Sequence, residues 1–189
     1  MSRRRFRRPG RPRRRLGAAL LLAAATMAGS ARAAAPPPVG PPQFLPITAR
    51  WCLQASPGGP PPPCLQLEVP RTDLQHAWGL QLRPPLPPLR GMWFPYVPPA
   101  RARFWMHRTP EPLDMIFVAE GRVVAIEAGT RPCPRLPCPS YGPDDPVEGV
   151  LELAAGQAAA LGIVVGTPVR IESLPALSPG GAPAAPARD

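Results

Sequence analysis

The 189-residue chain contains no lysine: all 22 basic residues are arginine. No acidic residue precedes Glu68. Nine arginines lie between Arg3 and Arg15 and a tenth is Arg32, so beyond residue 33 the chain carries 12 basic residues and 12 acidic ones. The formal net charge of +10 therefore belongs to the first segment. A nucleic-acid-binding domain carries its basic excess on the folded part. This chain has none there, so nucleic acid is not an expected partner. No apolar run deep in the chain reaches the length of a spanning helix, which excludes a polytopic membrane protein. Aromatic residues are scarce at 6%, and the only histidines are His76 and His107. A phosphate-cradling glycine loop, a nucleophile elbow and a zinc-protease helix are all missing. No internal repeat is found.

Proline and glycine are abundant, at 34 and 17 residues, while apolar residues still make up 44%. That mixture predicts one compact domain with disordered Pro-rich ends. Arg3 to Arg15 form a basic head, Leu16 to Ala28 a short apolar stretch, and Ala31-Arg32-Ala33 a small-x-small cleavage site. This order predicts a secretory signal peptide over residues 1–33, with the mature chain starting at Ala34. The alternative is an uncleaved N-terminal anchor. Ser2-Arg3-Arg4-Arg5-Phe6 also resembles a twin-arginine export signal. Arg7 and Arg8 stand there where an apolar residue and a lysine are expected. The export route stays open. No cysteine stands directly after the apolar stretch, which argues against a lipoprotein anchor. The expected location is periplasmic or extracellular.

Four cysteines in an exported chain predict two disulfides. Ile47, Ala49, Trp51 and Leu53 alternate with Thr48, Arg50 and Cys52. Leu65, Leu67 and Val69 alternate with Cys64, Gln66 and Glu68. An antiparallel pair of these strands brings Cys52 and Cys64 together on the polar side. Cys133 and Cys138 would close a small loop. A metal site built from Cys133, Cys138 and a histidine lacks any recognised zinc spacing. Neither metal nor cofactor is expected.

Residues 34–46 read as a Pro-rich linker and 47–172 as one β-rich domain. Thr72 and Gln75 have capping-box spacing, with a helix stop at Gly79. Residues 83–90 read as a proline-rich loop. Gly91 to Phe94 and Ala102 to Met106 read as short strands. Leu113 to Val118 and Arg122 to Ala128 flank a hairpin turn at Ala119-Glu120-Gly121. Residues 129–146 form a loop that depends on its disulfide for order. Val147 to Leu153 is a strand, Gly156 to Leu161 a short helix, and Val169 to Ile171 a last strand. Residues 173–189 read as a disordered tail. The fold class is mainly β: a compact β-sandwich or barrel-like domain with one or two short helices.

Several stretches carry a family pattern. They are Gly79-Leu80 with Gly91-Met92, then Phe104-Trp105-Met106, Thr109, and Pro112-Leu113-Asp114 with Phe117. Gly121 with Val123-Val124, Pro139-Ser140-Tyr141, Val150-Leu151-Glu152-Leu153 with Gly156, and Gly162 with Gly166 complete it. Together, over Leu65 to Glu172, they resemble the bacterial and archaeal family called domain of unknown function 192. The resemblance implies a compact β module, often behind a signal peptide, and supplies no chemistry. The chain departs from the pattern at His107, where a basic residue is usual, and at Arg108, where asparagine is usual. Gln81-Leu82 stands where a methionine is usual.

Asp114 is the most informative polar residue. It lies in a strand that is apolar on both faces, so its carboxylate must be paired or hydrogen-bonded. Candidate partners are Arg103, His107, Arg108 and the Thr109 hydroxyl. It reads first as a buried anchor for the Phe104–Asp114 connection. It reads second as a polar group in a ligand pocket with Trp105, His107 and Tyr141. Ser140 is the only serine within 65–172, and nothing in the sequence brings it to His107 and Asp114. Glu152, on a face with Val150 and Glu148, reads as a solvated edge residue unless Arg122 pairs with it. The leading reading is a non-enzymatic exported envelope module that binds a partner protein or small ligand. The alternative is a hydrolase-like enzyme using Asp114, His107 and Tyr141.

Overall fold

A computed structural model describes residues 40–54, 58 and 61–175. The proposed leader, the start of the linker and nearly all of the tail lie outside them. Seven strands form one sheet in the order β5-β4-β6-β3-β2-β1-β7. They are β1 (Ile47–Cys52), β2 (Cys64–Glu68), β3 (Arg90–Ala100), β4 (Leu113–Ala119), β5 (Arg122–Thr130), β6 (Val147–Ala154) and β7 (Glu172–Ser173). Two short helices, α1 (Asp73–Trp78) and α2 (Gln157–Ala160), complete the domain. The chain is thus mainly β, as its alternating pattern predicts.

The first hairpin forms because its alternation buries one side. Ala49, Trp51, Leu65 and Leu67 are buried, while Arg50 and Gln66 are exposed. Cys52 stands opposite Cys64 across the strands, with Cα atoms 3.9 Å apart, and the two are disulfide-bonded. Cys133 and Cys138 form the second disulfide. The expected capping box starts α1: Thr72 Oγ1 accepts from the Gln75 N–H, and Gln75 Oε1 accepts from the Thr72 N–H. Gly79, at a φ of 50°, ends the helix. The expected hairpin turn is present between β4 and β5, with positive φ at Glu120 and Gly121.

The sheet has a core on each side. One contains Trp51, Leu65, Leu67, Trp93, Ile116, Val118, Val123, Leu151 and Leu153, drawn from every strand β1 to β6. The other contains Met92, Phe94, Met106, Leu113, Met115, Phe117, Val147 and Val150, beneath loop residues such as Leu80 and Leu86. Each fully buried large side chain contributes about 1.5–3 kcal/mol through apolar burial.

Residues 166–174 join the two ends of the sheet. The Val123 N–H donates to Thr167 O, the Gly166 N–H to Val123 O and the Val169 N–H to Gly121 O. A few residues later β7 pairs with β1, and the Leu174 N–H donates to Thr48 O. This strap draws the open sheet toward a barrel. It also shifts the expected last strand. Val169 to Ile171 runs as connection between two short pairings, and the strand proper is Glu172–Ser173. Ser173 and Leu174, expected in the tail, are therefore part of the fold.

Two further expectations change. Ala102 to Met106 is not a strand: only Phe104 bridges, to Tyr141. The segment is held one residue at a time between loops, by the isolated Phe104–Tyr141 bridge and the His107–Cys133 bridge that follows it. The end of the expected linker is fastened to the domain. Gln43 Nε2 donates to Gln75 O and Gly79 O, and the Leu45 N–H donates to Glu68 Oε2. Glu68 is itself buried and holds buried Arg83 at 2.7 Å.

Candidate functional site

Trp105 and His107 sit side by side on an irregular segment that neighbouring loops fix in place. The Phe104 N–H donates to Tyr141 O at 3.0 Å, and the Tyr141 N–H returns to Phe104 O at 2.8 Å. The Cys133 N–H donates to Met106 O, and the Arg108 N–H to Cys133 O. The Cys133–Cys138 disulfide closes the loop that supplies these partners. Arg108 takes a φ of 57°, and its guanidinium lies 5.7 Å from the Trp78 ring. Met106 is buried beneath the segment, whereas Trp105 is 42% exposed. Its ring lies 5.5 Å from the His107 ring at a tilt of 48°. His107 Nδ1 is buried with no hydrogen-bond partner. Tyr141 packs against the second core. Trp105, His107 and Tyr141 thus belong to one neighbourhood, positioned by backbone bonds and a disulfide.

Asp114 does not join them. It points to the opposite side of β4 from Leu113, Met115 and Phe117, and it is 1% exposed. Its Oδ1 accepts from the Gly129 N–H at 2.9 Å, and its Oδ2 accepts from the Ala158 N–H at 3.0 Å. It is an anchor, as the sequence suggests, but for β5 and α2 rather than for the Phe104–Asp114 connection. The expected partners Arg103, His107, Arg108 and Thr109 are replaced by two main-chain donors. Arg103 instead pairs with Asp144 and donates to Gly142 O. A groove of about 480 Å³ runs past Asp114, lined by Ile126, Ala128, Ala159, Ile163 and Val164. Both carboxylate oxygens already hold main-chain donors. The triad of Asp114, His107 and Tyr141 imagined for a hydrolase is not assembled.

Glu152 is the residue whose setting sequence reasoning missed. It is 5% exposed on β6, in the middle of the sheet, not on a solvated edge. Burial pushes its carboxyl up to about 8. Burial also raises the Tyr96 phenol, and the Glu152 charge raises it further. The His76 ring meets Tyr96 at 6.2 Å and Phe94 at 5.7 Å, both edge-on. Burial lowers its pKa, against the opposing pull of Asp73 and the Pro70 backbone. Alternation along β6 could not reveal this, because Val150, Glu152 and Ala154 look alike in an edge strand and a central one. Among the described residues, no three His, Cys, Asp or Glu side chains converge as metal ligands. No helix among them is long and apolar enough to cross a membrane.

The fold has counterparts. A family model described as Uncharacterized ACR, DUF192, matches residues 55–171. A crystal structure of a protein of unknown function from Novosphingobium aromaticivorans is 35% identical, with a TM-score of 0.58. The match covers 74% of this chain and 94% of that one. A crystal structure from Sinorhizobium meliloti, described as a proposed transcription regulator, is 29% identical with a TM-score of 0.57. It covers 69% of this chain and 97% of that one. No curated protein matches the chain.

Proposed function

The chain belongs to the DUF192 family, and from that premise we propose that it is an exported, non-enzymatic envelope module that binds a partner protein or small ligand through the Trp105 face. The observation that carries this reading is Trp105 itself. A large aromatic ring stands 42% exposed on a segment whose backbone is fastened on either side of it, at Phe104 and Met106. Rigid, half-exposed aromatics are favoured binding anchors, because little conformational entropy is lost when they are covered. His107 beside it offers a polar handle. Two disulfides favour an oxidising compartment, in keeping with the basic head, apolar stretch and small-x-small site at the N-terminus. The charge balance beyond residue 33 speaks against a nucleic-acid role for this chain.

Two measurements test the reading. Non-reducing mass mapping of the protein from its native host should find Ala34 as the first residue and both cystines formed. Intact full-length chain with four thiols, recovered from the cytosol, would sink the export claim. Pull-down from the periplasm with wild-type and Trp105→Ala protein tests the face. A partner retained equally by both excludes Trp105 as the anchor.

A further inference from the structure

A row of three side chains crosses the second core at the centre of the sheet. Glu152 on β6 stands opposite Met92 on β3 and also opposite Met115 on β4. Val150 belongs to this core and Ala154 packs on it, so Glu152, between them on β6, faces the same side. Met92 and Met115 belong to the same core and are fully buried. Neighbouring strands lie about 4.8 Å apart. Each thioether therefore starts one strand spacing from the carboxyl, on side chains long enough to converge above β6.

Methionine alone is an ordinary filler of irregular core space. The residue between two buried methionines would then be apolar. A carboxyl there is costly unless something compensates it. Among the described residues Glu152 has no hydrogen bond and no ion pair. The row thus consists of two soft sulfur donors flanking one buried carboxyl, which sits near the Tyr96 phenol and makes no ion pair among the described residues.

We infer that Met92, Glu152 and Met115 form a binding site for copper(I), with two thioether sulfurs and one carboxylate oxygen as ligands. Thioethers select soft ions and leave magnesium and calcium to oxygen-only sites. Charge favours the monovalent ion. Binding displaces the carboxyl proton to solvent, and the carboxylate so formed neutralises one positive charge, whereas a divalent ion would leave a net charge in a medium that penalises it. The slight exposure of Glu152 gives the ion a point of entry. This site goes beyond the Trp105 reading and stands if that reading fails.

The test uses the full chain with its methionine methyl groups labelled with carbon-13. Silver(I), a redox-stable soft monovalent ion, is titrated in and the methyl resonances are followed. Copper(I) is then measured without oxygen against a chromogenic chelator. At one equivalent of silver(I) the Met92 and Met115 methyl signals should shift while the fold is kept. A Met92→Ile/Met115→Ile variant should lose copper(I) affinity by about tenfold or more, and Glu152→Gln should also weaken it. Methyl signals of Met92 and Met115 that stay put would overturn the inference, with binding then assigned to His76, His107 or another methionine. Unchanged copper(I) affinity in the double variant would overturn it too. If the double variant fails to fold, the wild-type methyl shifts still decide.

Discussion

The Trp93 indole lies across Gly149 of the neighbouring strand so closely that a methyl group at Gly149 would collide with its six-membered ring. Trp93 is 8% exposed and belongs to the first core, so it has no free space to retreat into. Gly149→Ala should therefore destabilise the domain by about 1–3 kcal/mol, the usual cost of overpacking. Urea unfolding reads this directly. An unchanged midpoint would mean that the indole can move aside.

Asp114 ties three elements through two main-chain donors. Removing the carboxylate leaves the Ala158 N–H buried without a partner. Asp114→Ala should cost about 3 kcal/mol. Amide hydrogen exchange supplies a more specific readout. Protection at Gly129 and Ala158 should fall further than at Leu151, which lies in the same core but makes no bond to Asp114.

Glu152 sets a pH dependence. Its folded pKa, near 8, lies above its ordinary value of 4.5. The unfolded chain therefore loses this proton first as pH rises. Stability from this group is fully present below about pH 4.5 and is lost progressively up to about pH 8, by an amount of up to ~5 kcal/mol. Wild type should be less stable to urea at pH 8 than at pH 5. Glu152→Gln, which cannot ionise, should flatten that difference. Equal slopes in the two proteins would show that the carboxyl is better solvated than its burial implies.

Glu68 and Arg83 form an ion pair with both side chains more than nine-tenths buried. Truncating one partner of such a pair strands the other charge, at a cost of about 3–5 kcal/mol. Glu68→Ala should show this loss in urea. It should also release Leu45, whose N–H shares Glu68 Oε2 with the arginine. Limited proteolysis should then cut near residue 45 faster than in wild type. Unchanged cleavage there would mean that Gln43 alone fastens the segment.

Much of the architecture could be read from residue order, and the reason is local. Strict alternation around Cys52 and Cys64 carries its own register, because side chains in a strand change face at every step. The Thr72–Gln75 box and the glycine turn at Gly121 are equally local. What escaped depends on distant neighbours. Whether β6 is central or peripheral decides the burial of Glu152, and only the strand order β4-β6-β3 settles it. Asp114 could be recognised as a buried carboxylate, but main-chain donors at Gly129 and Ala158 have no side-chain signature. Trp105 and His107 could be paired by proximity in sequence. Tyr141 joins that neighbourhood through a single bridge across 36 intervening residues.

The strap of residues 166–174 has a consequence for biogenesis. It is the last described stretch to be synthesised, yet it grips both the hairpin at Gly121 and the first strand at Thr48. A nascent polypeptide short of Val169 therefore presents two raw strand edges and cannot close. Completion waits until residues 166–174 have been made, and any truncation upstream of them should yield a sticky, unfinished molecule rather than a smaller working one.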